Sequence, residues 1–325
     1  MTRKDKQIQL KAVVVASVVA FGLASVSAQA ATMSWGYATD LSFTGTPTWE
    51  TDGTAGSTSS SPYALTWGAT GGNYQTNTGD ANTNRSALTI GSFANSPETL
   101  NTGSPATSAQ QGHPVAVSLD GTFTGNEIAR GTSFTHWNNP ISSNFNTLLA
   151  ATFTDTITFY SNVNSAGVYS TPPAGISGPT LTFNFKFRET PNAGGDGPGG
   201  TCADGSAPAS WPGGGCPDLL GYTGVNVINN AFSDGVDTYY AHILQLNADG
   251  TINQVGIGHL TNGECSILGL ANNCFGFRTF EGAHTTERFG FAVTLTTITV
   301  PEPGSLALLG LGLFGLGALR RRNNA

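Results

Sequence analysis

The stretch LTFNFKFRET, from Leu181 to Thr190, alternates strictly: Leu181, Phe183, Phe185 and Phe187 fall on one side, Thr182, Asn184, Lys186 and Arg188 on the other. Two is the side-chain period of an extended strand, so an apolar row opposite a polar row predicts a strand with one dry face and one wet face. The pattern recurs in TFTDTITFY, where Phe153, Ile157 and Phe159 oppose Thr154, Thr156 and Thr158, and in FGFAVTLTTITV, where Phe289, Phe291, Val293 and Leu295 alternate with small or polar partners. VAVSL runs into Asp120-Gly121 and YYAHILQL into Asp249-Gly250, both hairpin signals; the second strand is the more continuously apolar and suits a central position covered on both sides. No stretch of the body shows a convincing 3.6-residue pattern. Short strands with Gly, Pro and Asn turns predict an all-β body, an antiparallel β-sandwich or jelly-roll-like fold. PNAGGDGPGGTCADGSAPASWPGGGCPD cannot bury a core and reads as a long surface loop, and TDGTAGSTSSS, from Thr51, as a second loop. Neither divides the body, which is read as one domain over residues 31–299.

Only 10% of the residues are charged, so the wet faces must be made by Thr, Ser and Asn. Four of the 13 basic residues (Arg3, Lys4, Lys6, Lys11) crowd the first residues and three (Arg320, Arg321, Arg322) the last, against one acidic residue at each end, Asp5 and Glu302; the body is therefore more acidic than the whole chain's −7, at about −12. That balance excludes nucleic acid, whose phosphates need basic patches. Four cysteines fit an oxidising compartment. Local pairing, Cys202 with Cys216 and Cys265 with Cys274, is preferred because each pair lies close in sequence; a zinc site is the alternative, without any CxxC spacing to support it.

The two ends read as transport elements. The basic residues before Ala12, an apolar run from Ala12 to Ala24 and the small-x-small triplet Ala28-Gln29-Ala30 make residues 1–30 a signal peptide with a helical apolar segment, cut by signal peptidase near Ala31. At the other end an apolar segment from Gly304 to Leu319 is about 24 Å long as a helix. It is just short of the roughly 30 Å hydrocarbon core, which snorkelling arginines can make up. It reads as a transmembrane helix with Arg320, Arg321 and Arg322 held on the cytoplasmic side.

Val300-Pro301-Glu302-Pro303, an apolar helix and an Arg cluster, in that order, resemble the PEP-CTERM sorting signal over residues 300–325. The resemblance implies recognition by an exosortase, a membrane enzyme of Gram-negative bacteria that make extracellular polysaccharide. Pro301 and Pro303 hold the segment between them extended, a form that a processing enzyme can thread. Inside the body, FTHWNNPI (Phe134 to Ile141) resembles the hallmark of the Thr-His-x-Asn (THxN) family of such proteins, and LDGTFTG, FKFRETPN and CPDLL are similar to further positions of that family. The family name implies sorting and architecture; no catalytic role is carried over.

The chemistry of the body is sparse. GxSxG and HExxH are absent, and His113, His242, His259 and His284 show no metal-ligand spacing. Paired carboxylates leave no spacing signature, so Asp120, Glu127, Asp155 and Glu189 are candidates only in that sense. His136 and Asn138 share one face of an extended THWN segment and are possible ligand contacts; the rival reading is a histidine hydrogen-bonded in a turn. Among Trp35, Trp49, Trp67, Trp137 and Trp211, the loop residue Trp211 is the expected exposed one, a flat face for a sugar ring. No cofactor is expected and no metal site is assigned. Calcium at Asp234, Asp237, Asn247 and Asp249 is the weaker alternative, since such turns form without an ion. The sequence thus reads as an exported protein without enzymatic activity. Its precursor is held in the inner membrane, and its destination is the cell surface or an extracellular matrix, among exopolysaccharide or biofilm. The alternatives are a carbohydrate-binding module and, behind it, a polysaccharide-modifying enzyme.

Overall fold

The computed structural model describes residues 33–53, 55–93, 115–118, 128–160, 176–223, 230–253 and 258–295. The signal peptide, the Asp120-Gly121 hairpin and the C-terminal helix with its Pro-Glu-Pro and Arg residues lie outside them. Within them Leu181, Phe183, Phe185 and Phe187 are at most 6% exposed, while Thr182, Asn184 and Lys186 face water. Phe153, Ile157, Phe159, Phe289, Phe291 and Val293 are buried likewise.

These rows lie on thirteen strands: β1 (Met33–Trp49), β2 (Ser57–Ser60), β3 (Ala64–Gly68), β4 (Arg85–Ser92), β5 (Val115–Ser118), β6 (Ala129–Asn138), β7 (Leu148–Tyr160), β8 (Ile176–Arg188), β9 (Asp218–Thr223), β10 (Asn230–Ser233), β11 (Thr238–Leu246), β12 (Gly276–Thr279) and β13 (Ala283–Thr294). One sheet runs β2-β3-β4-β6-β13, with β11 and then β10 beyond β13; the other runs β12-β9-β8-β7-β1. Their pairings are antiparallel, and β5 alone joins β13 in parallel, through Val293↔Val117 and Thr294↔Ser118. The sheets pack face to face as the expected all-β, antiparallel sandwich. Strand β13 pairs with three strands and holds much of the first sheet together.

The core is aromatic where the sheets meet. Phe134 on β6 lies 5.3 Å from Phe153 on β7, 6.0 Å from Phe185 on β8 and 6.1 Å from Phe277 on β12, ring centre to ring centre. Such tilted and edge-on pairs add to the apolar burial itself. Strand β11 lies between β10 and β13 as its apolar run predicts, but Tyr240, Leu244 and Gln245 are only half-buried, so it is not covered on both sides.

Two local expectations need correcting. The body does contain a helix, α1 (Asn262–Ile267). It is too short for periodicity to reveal, yet Thr261 and Glu264 form a reciprocal capping box: the Thr261 amide donates to Glu264 Oε2 (2.7 Å) and the Glu264 amide to Thr261 Oγ1 (3.3 Å). The end of TDGTAGSTSSS is not loop but the edge strand β2, exposed and paired to β3 from Ser57↔Gly68 to Ser60↔Leu65. The long Gly/Pro segment after β8 is a loop, as expected. Disulfides link Cys202 to Cys216 and Cys265 to Cys274, the local pairing.

Candidate functional site

Strand β6 carries the THWN tetrapeptide between β4 and β13, with His136 opposite Leu88 on one side and Thr285 on the other. Alternation turns His136 and Asn138 into the sandwich, where they are 1% and 0% exposed. The imidazole lies nearly parallel to the Trp67 indole (6.0 Å, 18°) and edge-on to Phe187 (5.0 Å). Trp137, on the other face, sits between Tyr74 and His284 and donates its indole N–H to Thr89 Oγ1 at 3.1 Å.

Around this aromatic pocket the chain collects carboxyls. Asp218, the first residue of β9, places Oδ2 3.6 Å from His136 Nε2, and both side chains are buried. Its Oδ1 accepts the Thr190 amide at 2.8 Å, while the Thr190 hydroxyl donates to the Cys216 carbonyl at 2.5 Å. Glu189, just past β8, accepts the Trp67 indole N–H on Oε2 at 2.8 Å. Glu281 comes from the β12–β13 turn and lies beside the amide of Asn138, whose Nδ2 donates to the Thr279 carbonyl at 2.9 Å. Gly213, at φ +88°, closes over Glu281; a Cβ there would stand 2.7 Å from the Glu281 Cβ, so the position takes no side chain.

Three acids gathered out of water cannot all be ionised. Burial first, and then Glu281, pushes Glu189 up to about 8; burial, Glu189 and Glu281 push Asp218 well above the carboxylate range; burial pushes Glu281 up to about 7. Burial also pushes His136 down to about 3, so the imidazole is neutral. His136 and Asp218 are therefore not an ion pair, despite their proximity, and 3.6 Å is too long for a hydrogen bond. Glu189 Oε1, Asp218 Oδ2 and both Glu281 carboxyl oxygens are buried without a hydrogen-bond partner, which favours the protonated acids over the ionised ones.

Glu189 also lines a groove of about 590 Å³, walled by the segments around Asn82, Ile141–Thr147 and Arg188–Ala193. Glu50 lies on the same groove and accepts the Thr147 hydroxyl at 2.7 Å. The sandwich thus joins three stretches distant in the chain, FTHWNNPI, FKFRETPN and CPDLL, through His136, Asn138, Glu189, Thr190 and Asp218. Trp67, Glu281 and Glu50 belong to the same region and stand in no motif; nothing in the sequence marks them.

Other predicted residues lie elsewhere. Trp211 is half-buried, stacked on Phe280 (5.3 Å, 27°) and donating to Ser206 Oγ at 2.6 Å. Asp155 is buried on β7 opposite Leu181, eight residues before Glu189, so the two acids are not a pair. Asp234 Oδ1 accepts the amides of Val236 and Asp237, and Asp249 Oδ1 the amide and hydroxyl of Thr251, so these oxygens cap their own turns. Among the described residues no three His, Cys, Asp or Glu side chains converge as a metal-ligand set, and no helix is long and apolar enough to cross a membrane.

A disulfide-stapled β-sandwich with a basic-ended apolar tail is the build of an exported, sorted surface protein. The tail itself is specific: residues 299–322 match the PEP-CTERM protein-sorting motif, which marks export, exosortase processing and cell-surface sorting. A search of the curated proteins found none that matches the chain.

Proposed function

We propose that this chain is a structural protein of the cell surface or extracellular matrix, of the THxN type, without enzymatic activity and at home among exopolysaccharide in a biofilm. Its residues 1–30 are removed by signal peptidase, residues 31–299 form the sandwich, and residues 300–325 hold the precursor in the membrane until an exosortase acts on Pro301-Glu302-Pro303. The observation that carries this reading is the match of residues 299–322 to the sorting motif, on a body whose THxN residues are packed inside. A buried His136 and Asn138 brace the two sheets and present nothing to a ligand, and Trp211 is occupied by Phe280 and Ser206.

The experiment is an intact mass and C-terminal peptide map of the protein recovered from its producing cells, with the matrix fraction assayed alongside. The expected product ends near Pro301–Pro303 and partitions with the extracellular polysaccharide. A product that keeps Arg320–Arg322 makes the tail a plain anchor and removes the main support for a matrix role. Turnover of the producer's polysaccharide at acidic or neutral pH would replace the structural reading with an enzymatic one.

A further inference from the structure

The groove beside Glu189 has a use that the buried motif does not. Its volume, about 590 Å³, is that of a small-molecule site. The walls are fixed by main-chain bonds: the Ser142 amide donates to the Ala81 carbonyl (3.0 Å), Phe145 to Ser142 (3.0 Å) and Glu50 to Thr147 (2.8 Å). The polar side chains are fixed as well. Thr147 holds Glu50, and Asn192 donates from Nδ2 to the Ile141 carbonyl at 2.6 Å, leaving its amide oxygen as an acceptor. Side chains pre-set by one bond, with lone pairs to spare, lose little freedom when a second partner arrives.

The chemistry of the lining selects the ligand. Pro191 supplies exposed apolar surface, with the edges of the buried Ile141 and Phe145 behind it, between the hydroxyls of Ser142 and Ser143 and the amides of Asn82 and Asn192. This alternation of C–H-facing and hydroxyl-facing surface matches a pyranose, which carries both. Charge narrows the class further. The basic residue on the groove, Arg188, lies 3.7 Å from Asp196, whereas Glu50 and Glu189 have no cation paired to them among the described residues. An anionic sugar would meet the unpaired Glu50, while Arg188 is already drawn toward Asp196.

We infer that the groove between Asn82, the Ile141–Thr147 segment and the Arg188–Ala193 segment binds an uncharged sugar residue of a polysaccharide. The inference stands on the lining and not on the tail, so its failure would leave the C-terminal mass result untouched.

The test is calorimetric titration of the protein recovered from cells with uncharged hexasaccharides (cello-, malto-, xylo- and chitohexaose) and with the anionic hexagalacturonate. Saturable binding of at least one uncharged hexamer is expected, about tenfold or more tighter than hexagalacturonate. Ser143→Trp, at an exposed wall position, fills the groove and should weaken binding about tenfold or more without moving the thermal midpoint. Asn82→Trp does the same from the opposite wall and serves if the first variant does not fold. Glu50→Gln, which keeps shape and loses charge, should narrow the gap to hexagalacturonate. No binding of any uncharged hexamer at millimolar concentration overturns the inference. So does equal affinity for hexagalacturonate, or unchanged binding in a folded groove-filled variant.

Discussion

Replacing Glu189 by Gln removes one titrating acid from the buried cluster. In the folded chain Glu189 ionises at about 8 because it is buried and faces Glu281; in the unfolded chain it returns to its ordinary value of 4.5. Between those values the native state holds a proton that the unfolded state has released, so stability falls as pH rises. The contribution is fully present below pH 4.5 and gone above about 8. One such proton is worth about 1.4 kcal/mol per pH unit, or about 4 kcal/mol over three units, a large share of a typical folding free energy. In Glu189→Gln the amide oxygen can still accept from Trp67, and the side chain no longer ionises. Urea unfolding at pH 5, 6, 7 and 8 should show the wild-type midpoint dropping with pH, as other raised carboxyls such as Asp155 (about 7) also ionise. The variant should lose its stability less steeply, by about 1.4 kcal/mol per unit, and overtake the wild type by pH 8. Equal slopes in the two proteins would refute the raised ionisation of Glu189.

Three further outcomes test the fold. Phe134→Ala, which empties the aromatic contact between the sheets, should cost about 3–5 kcal/mol in chemical unfolding at constant m-value. Replacing both Cys202 and Cys216 by Ser opens a loop of sequence separation 14 and should cost about 3 kcal/mol, seen as a lower midpoint under non-reducing conditions. Thr261→Ala removes the hydroxyl half of the α1 capping box and should cost about 1 kcal/mol, with faster amide exchange at Glu264 as its local signature.

The strands were legible because each carries its own instruction: Leu181 to Phe187 declare an inner and an outer face without reference to the rest of the chain. The disulfides were legible for a related reason, since each pair is local. Edge strand β2 was not, because Ser57–Ser60 has no apolar row to bury and is held by its ladder to β3 and by Arg85, whose Nη1 donates to Ser57 Oγ. Helix α1 is shorter than two turns, too short for a 3.6-residue pattern to register. For the site, alternation placed His136 and Asn138 on one face, but which face was inward depended on the partner sheet. The motif stretches contained Glu189 and Asp218. Their meeting with His136 is set by the packing of one sheet on the other, and Glu281 and Trp67 carry no local signal for it at all.

Strand β13 ends at Thr294, and the sorting motif begins at residue 299, five residues on. Fully extended, such a stretch reaches at most about 18 Å. An enzyme that cuts the motif therefore works almost against the body, beside the strand to which β5, β6 and β11 are all paired. A chain threaded out from its N-terminus releases β13 after every other strand. Until then β6 and β11 have no common partner and the first sheet stays in pieces. Strand β13 and the sorting motif thus lie within a few residues of each other, so completing the first sheet and presenting the motif fall close together in time.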